Sequence, residues 1–155
     1  MDDGRRKGAA SDAAAALERA VPMMTRWFTR GDVGRALLAD TDPALSRTDA
    51  WLLGRISDTG PVRLSELADW QEVDRSTMTT EVRRLENLGL VERKADPRDG
   101  RAVLLVATPA GATRHRQTKS TARSLYEQLL ADWSEDDLQA AVKVARRLTQ
   151  TLERP

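Results

Sequence analysis

No cysteine occurs in this chain of 155 residues, and histidine occurs once, as His115. Structural disulfides, thiol-based redox sensing, thiolate metal sites and cysteine nucleophiles are therefore excluded together. A transition-metal site would have to surround a lone imidazole with several carboxylates, so no metal is expected. There is no run of about 18 uncharged apolar residues, so no segment is expected to span a membrane. Arg5, Arg6 and Lys7 are not followed by an apolar stretch, which is not the pattern of a secretory signal. Together with the missing cysteines, this fits a cytoplasmic location. An excess of one charge is also lacking: 25 Lys and Arg face 24 Asp and Glu, and a net charge of +1 does not by itself announce a polyanionic partner. The distribution of charge has to carry any such argument. Nor is there a nucleophile with its base, or a phosphate-binding loop, so neither a catalytic residue nor a cofactor is expected.

What is present reads as helices. The length suits one core with extensions, and 40% hydrophobic with 32% charged residues suits a helical protein with long solvated faces. Residues 1–10 read as a disordered tail. From Ser11, a plausible N-cap, the apolar residues Leu17, Val21, Met24, Phe28 and Leu38 recur at helical spacing. Pro22, Gly31 and Gly34 interrupt the pattern, which leaves open one straight rod, a kink, or a short break between two helices. Thr41-Asp42-Pro43 ends it. Ser46 caps a second helix with Ala50, Leu53 and Ile56 inward, stopped by Gly60-Pro61. Val62-Arg63-Leu64 allows one short paired strand. Ser65 caps a short helix over 66–70, and Asp74 caps another over about 75–87 with Met78, Val82 and Leu85 inward. Gly89 sits where a left-handed residue closes a helix.

Beyond Gly89 the period changes from 3.6 to 2. Residues 91–93 and 102–107 read as two strands around the turn Asp96-Pro97-Arg98-Asp99-Gly100. Thr108-Pro109 opens a long helix by N-cap and N1 logic, and Ser134 caps a last one. The acids Glu135, Asp136 and Asp137 complement that helix's dipole rather than forming a catalytic pair. The fold class expected is mainly α with a small β-hairpin.

The segment 64–108 carries the chemistry. The outward positions of its second helix are Arg75, Ser76, Thr77, Thr79, Thr80, Arg83 and Arg84. Hydroxyls near a helix N-terminus suit base edges, and cations nearby suit phosphates. Hydroxyl residues are poor helix formers, so placing four of them on one exposed face asks for a reason beyond solvation. The turn tipped with Arg98 and Arg101 is suited to a narrow, electronegative minor groove. From Arg75 to Arg101 seven cations meet five acids, a modest net of +2 gathered on one face.

These residues resemble the MarR family of winged-helix regulators. The resemblance runs from Leu45 to Gly111, through LSRTDAWLLGRI, RLSELADW and DRSTMTTEVRRLENLGLVERKADPRDGRAVLLVATPAG. It implies a winged helix-turn-helix over 45–108 that binds double-stranded DNA at a pseudo-palindromic operator, with Ser65 and Ser76, Thr77 and Arg84 on its helices, Arg101 as the wing arginine and Asp99 bracing it. It also implies a homodimer held by helical segments 11–42 and 109–155, acting as a repressor. Thr80, Glu81 and the Trp70-Gln71-Glu72 turn depart from the family's pattern, so no operator sequence transfers. Members of such a family often bind small aromatic or amphipathic effectors, which makes Trp27, Phe28, Trp51 and Tyr126 candidate cavity residues; core or interface packing is their plainer role. A winged-helix protein-interaction module without DNA binding is the competing function, favoured by Glu81 and the near-neutral charge. His115, within Arg114-His115-Arg116, is expected to be an exposed helix residue.

Overall fold

The computed structural model describes residues 2–31, 33 and 45–152, without the side chains of residues 2, 3, 100 and 101. Helix α1 (Asp2–Thr29) is followed by α2 (Arg47–Thr59), strand β1 (Val62–Arg63), α3 (Leu64–Gln71), α4 (Arg75–Asn87), β2 (Val91–Asp96), β3 (Asp99–Ala107), α5 (Pro109–Leu129) and α6 (Glu135–Leu152). The three strands form one antiparallel sheet in the order β1-β3-β2. This is a winged helix-turn-helix flanked by long helices, as the family resemblance implies.

One core serves α2, α3, α4 and the sheet. Leu52, Leu53 and Ile56 of α2 meet Leu67 of α3, Met78, Val82 and Leu85 of α4, and Val62, Val91 and Leu105 of the strands. The inward stripe of α4 is the expected one. On α2, the inward face is rotated from expectation: Leu52 is buried with Leu53 and Ile56, Ala50 is only half-buried, and Trp51 is exposed. The cause is Asp49, whose buried carboxylate occupies the place inward of the first turn.

Three expectations change, and one left open, the course of the first helix at Pro22, is decided. Helix α1 begins at Asp2, so the expected tail over 1–10 is helical from that residue; Ala9, Ala10 and the Ala13–Ala16 run are strong helix formers that outweigh Gly4 and Gly8. The same helix runs on through Pro22 to Thr29. Leu37, Leu38 and the Thr41-Asp42-Pro43 stop lie outside the described residues. Helix α3 starts at Leu64 rather than after Ser65: its N-cap position is Arg63, whose backbone N–H donates to the Glu66 carboxylate at 2.8 Å. The wing is longer than expected, since β2 and β3 reach Asp96 and Asp99 and leave only Pro97 and Arg98 as the turn. Asp96 itself holds that end by accepting from the Arg98 backbone N–H at 2.9 Å.

Caps place the remaining boundaries. The Ser46 hydroxyl accepts from Asp49 N–H while the Asp49 carboxylate accepts from Ser46 N–H, a reciprocal capping box. The Thr108 hydroxyl accepts from Gly111 N–H at 3.0 Å and donates to the Gly89 carbonyl at 2.7 Å, tying α5 to the end of α4. At Gly111 the backbones nearly touch, and a Cβ there would lie 2.0 Å from the Leu90 carbonyl oxygen. Gly111→Ala is therefore expected to lose about 1–3 kcal/mol in urea unfolding, as overpacked sites do. At Gly8, where a Cβ meets nothing within 4 Å, the same change should be neutral or stabilising. Equal effects at the two positions would contradict this packing.

Candidate nucleic-acid interface

Helix α4 presents one polar face, and its first turn is organised by a single carboxylate. Asp74 accepts from the backbone N–H groups of Ser76 and Thr77 at 2.8 and 2.9 Å, and from the hydroxyls of both residues. The Ser76 hydroxyl bond, the Thr77 backbone bond and the Thr77 hydroxyl bond, in that order, hold the Asp74 carboxyl far below the ordinary carboxylate range. One turn on, the Thr79 hydroxyl donates to the Arg75 carbonyl at 2.6 Å and the Thr80 hydroxyl to the Ser76 carbonyl at 3.1 Å. A hydroxyl has one proton to donate and two lone pairs. All four hydroxyls thus spend their proton inside the protein, and what they offer outward is acceptors. Arg75 and Arg83 are exposed on the same helix. Ser65 is half-buried in the first turn of α3.

The wing is braced beside its turn by residues that sequence reasoning missed. Arg63, on β1, donates to the buried Asp96 at 2.7 Å and lies 3.6 Å from the Asp99 carboxylate. The Arg63 bond, then the Arg98 backbone N–H, hold the Asp96 carboxyl below its ordinary value. Arg98 is exposed at the turn, and the side chain of Arg101 lies outside the described residues, as does any bracing of it by Asp99. Arg93 donates to Glu86 of α4 at 2.6 Å, and Lys94 pairs with Glu92 at 3.0 Å. These two cations tie the hairpin to the helix and to itself. Arg84 has a partner that the sequence did not reveal: its Nε donates to the buried Asp49 at 2.7 Å, while its side chain stays 55% exposed.

The MarR family model matches residues 45–103, the span of this helix-turn-helix and most of its wing. YxaD, an uncharacterized HTH-type transcriptional regulator of Bacillus subtilis, is 30% identical over 106 residues, covering 68% of this chain and 74% of that protein. This chain belongs to the MarR family. As a MarR family member it is a DNA-binding regulator of transcription. MdtR, a transcriptional repressor of Bacillus subtilis, is 24% identical over 103 residues, 66% of each chain. Among solved structures, a MarR family protein from Bacillus stearothermophilus has a TM-score of 0.78 at 21% identity, covering 93% of this chain and 98% of that one. FabT of Streptococcus pneumoniae, solved in complex with DNA, has a TM-score of 0.74 at 23% identity, covering 91% and 97%. At these identities the structural likenesses establish the fold.

A second candidate site lies where α1, α2 and α5 meet. A cavity of about 700 Å³ is lined by Phe28 of α1, Arg47, Thr48 and Trp51 of α2, and Thr118 and Tyr126 of α5, among others. Phe28 and Tyr126 meet edge to face with ring centroids 6.1 Å apart. Three of the four aromatic candidates thus come together here. Trp27 instead packs edge-on against Phe28 at 4.9 Å and is absent from the lining. His115 is not the exposed residue expected: it is half-buried, its Nε2 lies 3.1 Å from Asp58, and its ring occupies the space that a side chain at Gly54 would fill. Among the described residues no group of three potential ligands could hold a metal ion.

Asp74 and Asp96 are both depressed in the folded chain, so each stabilises it fully above the ordinary carboxylate pKa of about 3.9. That contribution is lost as pH falls below that value toward their folded pKa values. Acid titration followed by circular dichroism should show the wild type losing stability below about pH 4. Asp74→Ala should lower Tm at pH 7 and respond less steeply to acid; an unchanged acid response would remove Asp74 from this role.

Proposed function

We propose that this chain is a homodimeric repressor in the cytoplasm that binds a pseudo-palindromic operator, acts by binding rather than by catalysis, and responds to a small aromatic or amphipathic ligand. The carrying observation is the α4 face, whose hydroxyl protons are all engaged internally beside exposed Arg75 and Arg83. Pairing through α1 and α6 is supported by apolar side chains that the single chain leaves uncovered: Val21, Met23 and Met24 on the first, Val142, Val144 and Leu152 on the second. A dimer of this kind sets two α4 helices about 34 Å apart, one turn of the double helix. No described helix is long and apolar enough to cross a membrane, which suits the location proposed.

An acceptor-only face reads bases that carry amino groups in the major groove, adenine N6 and cytosine N4. Sequences selected from random duplexes should therefore place adenine or cytosine opposite Ser76, Thr77, Thr79 and Thr80, with guanine opposite Arg75 or Arg83. Binding to the selected duplex should fall steeply with salt. Arg98→Ala and Arg101→Ala should each weaken selected and unrelated duplexes alike, and lower the salt slope by about two for a dimer losing two phosphate contacts. Salt-independent binding, or no binding, would overturn this reading in favour of a protein-interaction module.

The ligand reading rests on the cavity, where threonine hydroxyls and Arg47 stand among aromatic rings. Thermal-shift screening with aromatic acids and drug-like cations should find compounds that raise Tm in the wild type. That shift should be lost in Tyr126→Ala. Uniformly absent shifts would count against an effector.

A further inference from the structure

Arg84 resembles a phosphate-contacting residue by its place in the sequence, yet its Nε is bonded at 2.7 Å to the Oδ2 of Asp49, 35 residues earlier. Asp49 is 3% exposed in its side chain, and the same oxygen accepts the Ser46 N–H at 2.7 Å. One buried oxygen thus joins the N-cap of α2 to the last turn of α4. A buried carboxylate is tolerated only when it is paired and hydrogen-bonded, so the two helix ends are not independent. The first turn of α2 has a second duty, because Arg47, Thr48, Ala50 and Trp51, on either side of Asp49, line the cavity.

We propose that Arg84 is a positioning residue, and that the Asp49–Arg84 pair is the link through which the first turn of α2, and with it the cavity wall, sets the seat of the recognition helix. This rests on the DNA-binding and ligand readings above and adds the route between the two sites. Asp49 is an acid too deeply buried to touch DNA, which makes it a discriminating position. Simple electrostatics requires that neutralising it leave affinity for a polyanion unchanged or raised. The link requires the opposite sign.

The test compares wild type, Asp49→Asn, Arg84→Gln and the double variant on the duplex selected by the wild type, across 50–200 mM salt. Asp49→Asn should bind about five-fold or more weakly with an unchanged salt slope, and the losses of the two single variants should not add in the double. Unchanged or tighter binding by Asp49→Asn, additive losses, or a salt slope shallower by about two in Arg84→Gln would each overturn the proposal. Circular dichroism checks folding; should Arg84→Gln fail to fold, the sign of the Asp49→Asn effect decides alone. The cavity arm uses 8-anilinonaphthalene-1-sulfonate, an aromatic anion with its own fluorescence. Its binding should weaken the wild type's grip on DNA and leave that of the double variant unaltered. An equal effect on both would overturn the link. If the probe shows no binding sensitive to Tyr126→Ala, the cavity reading falls and its half of the link with it. A wild type that binds no DNA would bring down both readings.

Discussion

Burial of Met78, Val82 and Leu85 on one side of α4 is the constraint on which the rest of the structure depends. None of the three has exposed surface, and they share a core with Leu52, Leu53 and Ile56 of α2 and with Val91 and Leu105 of the wing strands. A helix pinned along one stripe has no freedom to roll, so its opposite face is presented whether or not a partner is there. The same core anchors Val91, the first residue of β2, and Leu105, near the end of β3. Recognition helix and wing are therefore two projections of one packed body. Their relative placement is fixed by side-chain packing rather than by the loop that joins them.

Polar contacts refine what packing has set. Asp74 gathers the hydroxyls at the start of α4, Asp49 holds Arg84 near its end, and Glu86 takes Arg93 from the wing. Asp49 and Asp96 are the buried acids among the described residues, and each is paired with an arginine. Arg75, Arg83 and Arg98 are exposed on the helix face and at the wing tip.

Much of this was legible in the sequence, because the governing signals are local. The spacing of Met78, Val82 and Leu85, the caps at Ser46, Asp74, Thr108 and Ser134, and the change from helical to strand period after Gly89 each lie within a few residues. The ion pairs between distant residues were not legible. Arg63 and Asp96 are 33 residues apart, Asp49 and Arg84 are 35, and no local pattern relates them. One hint was available for Asp49: Ser46-x-x-Asp49 is a capping box, which places an acid at the turn that must face inward. His115 was misread for the same reason, since its partner Asp58 belongs to another helix. The start of α1 was misread where a basic cluster without an apolar stretch behind it resembled a tail.

The long helices pose a different physical problem. Helix α6 runs for 18 residues without one that is buried, although its apolar side chains fall on one face. An amphipathic helix of that length gains little from intrinsic propensity, and in water it is marginal until its stripe is covered. The winged helix cannot cover it, being already closed around its own core. On the dimer reading, the stripe of α6 and that of α1 are covered only when two chains meet, so the order of these helices and the association of the chains are one equilibrium. The cavity lies between the two bodies, walled by α1 and α5 on one side and α2 on the other. A ligand there would sit where a core that folds alone meets helices that need a partner, and the weaker of the two bodies is the one expected to yield.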